Sequence, residues 1–94
     1  MKIHATLLSE QPRMLELDGR LGWAMCQLAQ AGAHGIETVK RPAPRWSAYV
    51  HELRSMGIPI ETEMVAHGGP YPGRHARYRL ACDASITILR GEAA

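Results

Sequence analysis

"RWSAYVHELRSMGIPIET", Arg45 to Thr62, contains the chain's sharpest change of hydrophobic period. Trp46, Val50 and Leu53 recur at helical spacing, with Tyr49 and Met56 at the border of the stripe. The spacing predicts a helix over Arg45–Met56, stopped by Gly57. From Ile58 the period falls to two. Ile58, Ile60, Thr62 and Met64 share one side and Glu61 and Glu63 the other, the pattern of a half-buried strand. Pro59 near its start suits an edge position. The helix leaves Arg45, Ser47, Ala48, His51, Glu52, Arg54 and Ser55 on its sides and far face. A charged outer face is usually just solvated, so its meaning depends on the neighbouring elements.

After the strand, "AHGGPYPG" is a loop dominated by glycine and proline. "RHARYRLAC" then alternates again, with Ala76, Tyr78 and Leu80 inward and His75, Arg77 and Arg79 outward. Two alternating runs around such a loop predict a β-hairpin. In that hairpin Arg77 and Arg79 share a face with Glu61 and Glu63, so cross-strand ion pairs are expected. "ASITIL" forms one more short strand or a tail that packs on the domain.

Before the helix, "KRPAPR" holds Pro42 and Pro44, which disfavour helix in the residues preceding them. At most one turn fits between Glu37 and Arg41, while Pro44 suits the first turn of the next helix. Asp18 offers an N-cap to an earlier helix over Arg20–Ala31. Leu21, Met25, Leu28 and Ala29 make its stripe, widened by Trp23 and Ala24, and Gly32 ends it. Met1–Leu17 stays open: "KIHATLL" reads as a short strand, "QPRMLEL" as an approach to the helix. Shared spacing places Leu28, Trp46, Val50, Leu53, Ile60 and Tyr78 in one core.

Ninety-four residues predict one domain over 1–94, with its core in about 18–80. There is no phenylalanine, so aliphatic side chains, Trp and Tyr must fill that core. No apolar run approaches the roughly 20 residues that cross a bilayer, and the first residues do not form a secretory signal. With two cysteines, Cys26 and Cys82, the chain reads as cytoplasmic with free thiols, while two cysteines alone leave a disulfide between them open. His4, His34, His51, His67 and His75 are scattered without an H-x-x-x-H pair, and there is no C-x-x-C. "HGGPYPG" is followed by no G-K-[ST]. No catalytic set, metal site or cofactor is therefore expected. Net charge is +2, but Ile36–Leu80 holds seven Lys and Arg against four acids. A basic middle suits a polyanion partner; the plainer account is that it keeps the chain soluble.

Helix, short connector, helix and hairpin is an α+β layout. "RWSAYVHELRSMGIPIETE" followed by "GRHARYRL" resembles the small winged helix-turn-helix domains of phage and prophage genes. The match rests on Arg45, Trp46, Ser47, Ala48, Val50, Glu52, Leu53, Arg54 and Gly57, and covers about Asp18 to Leu80. The departure is the segment "IETVKRPAP", where the second helix is short or missing. The resemblance implies a transcriptional regulator that binds double-stranded DNA, not an enzyme. The 45–56 helix would read the major groove and the two-stranded hairpin would be the wing. Arg45 would meet a base, Ser47 a base or a phosphate, Tyr49 and His51 the backbone, Lys40 and Arg41 phosphates, and Arg74 and His75 the adjacent minor groove or the backbone. A homodimer is compatible with this. The alternative is a non-catalytic protein-interaction module on the same scaffold, such as a phage-encoded inhibitor of a host factor.

Overall fold

The structure, a computed structural model, describes residues 2–9, 11–38, 45–70 and 72–89. Two strands come first, β1 (Lys2–Leu8) and β2 (Arg13–Asp18), followed by helix α1 (Gly19–Ala31). A 3-10 turn (Gly32–His34) and the two-residue strand β3 (Ile36–Glu37) lie between α1 and helix α2 (Trp46–Ser55). Strands β4 (Ile60–His67), β5 (Gly73–Leu80) and β6 (Asp83–Leu89) complete the order. They form two three-stranded sheets, β2-β1-β6 and β3-β5-β4, in which all pairs are antiparallel.

Both helices lie within a residue of where periodicity puts them. Asp18 caps α1 by accepting the Gly19 N–H at 2.7 Å. Gly32, at φ +54°, ends it and donates its N–H to Leu28 O. Arg45 and Met56 become the caps of α2. "QPRMLEL" does lead up to α1, but as a strand: it forms most of β2, which runs straight into the helix at Asp18. Leu15 and Leu17 turn toward the core while Met14 and Glu16 turn to solvent, a period of two. β1 supplies the missing partner, with Ile3 opposite Leu17 and Ala5 opposite Leu15. β1 pairs on its other side with β6, which is the fate of "ASITIL".

One hydrophobic cluster joins the two sheets and both helices. It holds Leu28, Trp46, Val50, Leu53, Ile60 and Tyr78 together, as the spacing predicts, and adds Ile3, Ala5, Leu7 and Leu17 from the first sheet. Trp46 lies at its helical seam: its ring is 5.4 Å from that of Trp23 on α1 and 6.3 Å from that of Tyr49, edge-on to the latter. The inner face of β4 is shorter than its alternation implies. Ile60 is buried, but Thr62 is exposed and Met64 is 54% exposed. Met64 lies opposite Ala76, one pair beyond Tyr78, the last buried side chain on this hairpin face, so the apolar residue continues the pattern where the core has ended.

Two arginines fasten the end of α2. Arg13, from β2, donates to Met56 O at 2.9 Å. Arg54 turns from the helix side onto β4, donating to Ile60 O at 3.1 and 2.7 Å and to Thr62 Oγ1 at 2.7 Å. Gly57 makes this possible. Its φ of +88° is open to glycine, and a Cβ there would collide with the Arg13 guanidinium.

Trp46→Ala empties the seam between the helices and should cost about 3–5 kcal/mol in chemical denaturation, a large share of a small domain's stability. Gly57→Ala should cost about 1–2 kcal/mol from the backbone alone, and more if Arg13 is displaced from Met56 O. A denaturation midpoint equal to wild type in either variant would contradict this packing.

Candidate nucleic-acid interface

α2 buries Trp46, Val50 and Leu53 and presents Ser47, Ala48, His51 and Ser55 on its far side, all exposed. Arg45 is exposed at its N-terminus and makes no capping hydrogen bond with its side chain. Tyr49 is half-buried, and its hydroxyl accepts a 3.3 Å hydrogen bond from Arg20 Nε on α1. Arg20 also lies 4.8 Å over the ring of Trp23. Arg20 and Arg45, with Leu21, Ala48, Tyr49 and Glu52, line a shallow crevice of about 300 Å³ between the helices. Two guanidinium groups 25 positions apart in sequence thus border one depression. Arg20 escapes sequence reasoning because nothing local ties it to α2.

On the β4–β5 hairpin, Arg74 is exposed near the turn. Neither Arg74 nor Arg45 has a side-chain hydrogen bond or ion pair among the described residues. The other hairpin arginines are engaged. Arg77 meets Glu63 at 3.4 Å, and Arg79 meets Glu61 at 3.7 Å and Glu63 at 3.3 Å, the cross-strand pairs that the alternation implies. Lys40 and Arg41 lie outside the described residues.

His75 is placed differently from an outward-facing wing residue. Its side chain is 8% exposed, and Nε2 lies 3.4 Å from Glu37 Oε1. The same carboxylate oxygen accepts from Arg77 Nη2 at 2.8 Å. That hydrogen bond raises the Arg77 pKa above its ordinary value, and Coulomb attraction to Glu37 and Glu63 adds to the effect against desolvation. His67 stacks on His75, with ring centroids 5.1 Å apart, and the two Nδ1 atoms are 3.0 Å apart. Glu37 on β3, His75 and Arg77 on β5 and Glu63 on β4 therefore form one polar network across the sheet. It is assembled by strand pairing, so its members are scattered in sequence.

Cys26 and Cys82 are free thiols. Burial pushes the pKa of both up, and the Asp83 carboxylate adds to the rise at Cys82. Among the described residues no group of three or more His, Cys, Asp or Glu side chains could hold a metal ion. No described helix is long and apolar enough to cross a membrane.

The arrangement is a helix with a small polar outer face, an arginine at its N-terminus, and an arginine-tipped hairpin directly following it in the chain. These parts suit electrostatic and hydrogen-bonding contact with a polyanion more than they suit bond chemistry. No curated protein and no solved structure matches the chain. A family model described as a winged helix domain matches residues 14–90, from the second strand to just past the last, and the chain belongs to that family.

Proposed function

We propose that the protein binds double-stranded DNA as a phage- or prophage-type transcriptional regulator acting in the cytoplasm. α2 would enter the major groove and the β4–β5 hairpin would serve as the wing. Membership of a winged helix family supports DNA as the partner in general terms. The observation that carries the reading further is the state of the arginines. Arg13, Arg54, Arg77 and Arg79 are engaged inside the fold, whereas Arg45 and Arg74 are exposed without side-chain partners among the described residues. They stand at the helix N-terminus and the hairpin tip, the two places that meet DNA in this docking geometry.

In this reading Arg45 contacts a base edge, and Ser47 a base or phosphate. His51 meets the backbone, and Tyr49 helps to place Arg20 beside Arg45. Lys40 and Arg41, which precede the helix in sequence, neutralise phosphates. Arg74 takes the adjacent groove or backbone. His75 stands behind it, holding the strand through Glu37.

A second reading, a non-catalytic interaction module such as an inhibitor of a host factor, is favoured by one observation. The outermost face of α2 is short and weakly charged, Ser47, Ala48, His51 and Ser55, while Arg54 is turned away onto β4. Winged helix scaffolds serve both roles, so binding must decide.

Titration against genomic fragments at two salt concentrations tests the proposal. Affinity should fall steeply with salt, with a log–log slope of about 0.9 per phosphate contact. Arg45→Ala should cost about 1–3 kcal/mol on a specific site and relax the base preference there. Arg74→Ala should weaken all sequences alike and lower the slope by about one. Absence of binding at low salt, or silence of both substitutions, would overturn DNA recognition and leave the interaction module.

A further inference from the structure

The three strand edges of the described sheets that run for six residues or more are not equally protected. β2 follows Pro12 and carries Arg13, Glu16 and Asp18. β4 follows Pro59 and carries Glu61 and Glu63. Prolines and charges of this kind keep a sheet edge from pairing with another chain. β6, "DASITIL", has one charge, Asp83, at its first position and no proline. It pairs with β1 on one side and with no described strand on the other.

The apolar side of β6 is also incompletely covered. Ala84, Ile86 and Ile88 lie opposite Leu7, Ala5 and Ile3, so all three face the α1 side of the sheet. Ile3, Ala5 and Leu7 are buried, yet Ile88 is 52% exposed. Beside Ala84 is an open groove of about 740 Å³ between the end of α1 and the start of β6. Small residues form much of its wall: Ala29, Gly32, Ala33, Ala81 and Ala84.

We infer that β6 is the site at which a second copy of this chain adds to the sheet. The sequence of the strand is self-complementary about Ile86. In an antiparallel pair centred there, Ile86 meets its own symmetry mate, Ala84 meets Ile88, and Ser85 meets Thr87. Because opposed residues share a face, the exposed Ile88 of each copy lies over Ala84 and the groove of the other. Large side chain meets small, and this happens twice about one two-fold axis, as an isologous interface requires. On the solvent face the pair is two hydroxyl residues, Ser85 and Thr87, and no like charges oppose each other along 84–88. The product is a continuous six-stranded sheet with both α1 helices on the same face. This dimer stands independently of what α2 binds.

Molar mass measured by light scattering across a dilution series tests it. Wild type should move from twice 10.4 kDa toward 10.4 kDa on dilution. Ile88→Lys, at a half-exposed position, should keep the circular dichroism of wild type. It should raise the dimer Kd by at least roughly tenfold, the scale of losing one buried interface anchor. The register is read separately by Ile86→Cys in a Cys82→Ser background. Opposed Cα atoms about 4.5–5.5 Å apart lie within disulfide range, so oxidation should give a covalent dimer. A wild-type monomer at every concentration, an unchanged dimer in Ile88→Lys, or failure of Ile86→Cys to cross-link in a dimeric sample would each overturn the proposal. DNA affinity is not a readout here, so failure of this interface leaves the DNA-binding reading standing.

Discussion

The contact between Trp46 and Trp23 is the joint on which the molecule turns. α2 makes its broad apolar contact with α1, and the indole pair, with Tyr49 edge-on beside it, forms the centre of that contact. A core without phenylalanine concentrates its aromatic area in few side chains. The far end of α2 is held by hydrogen bonds instead: Arg13 on Met56 O and Arg54 on Ile60 O. One end of the helix is thus fixed by shape and the other by charge-assisted hydrogen bonds. Together they set the direction in which Ser47, His51 and Arg45 point.

This division changes what the basic composition means. The excess of positive charge between Ile36 and Leu80 looks, in sequence, like one extended basic surface. In the fold, Arg54 donates to the Ile60 carbonyl oxygen and the Thr62 hydroxyl, and Arg77 and Arg79 neutralise Glu37, Glu61 and Glu63. Among the described residues of that segment, the arginines left exposed without a side-chain partner are Arg45 and Arg74, and Arg20, from a helix that sequence reasoning had no cause to include, borders the same crevice as Arg45.

The helices and the hairpin were legible because their signals are local: a stripe at 3.6 residues, an Asp cap, a glycine stop, an alternation around a loop. The first sheet was not. β1 gains its partner β6 from the other end of the described chain, Lys2 opposite Leu89, and no window of sequence contains both. "QPRMLEL" is ambiguous by itself and becomes a strand because β1 lies beside it. Met64 shows the converse error, since alternation continued one step past the helices that could bury it. Ion pairs between Arg77, Arg79 and the β4 glutamates followed from register. Glu37 did not, because β3 is only two residues long and its pairing with β5 leaves almost no trace in the pattern.

The pairing of β1 with β6 also sets the order in which the fold can close. β2 follows β1 closely in sequence and can pair with it early, but the other flank of β1 is completed only by residues 83–89. Until those residues are in place, the row of N–H and C=O groups on that flank has no partner among the described strands. Contacts that span nearly the whole chain carry a high loop-closure cost and slow the search for the native state. α1, α2 and the β4–β5 hairpin rest on nearer neighbours in sequence and can assemble sooner. Of the described strands, β6 is therefore the one that closes the flank of β1, and that closure is the strand pairing of greatest sequence separation.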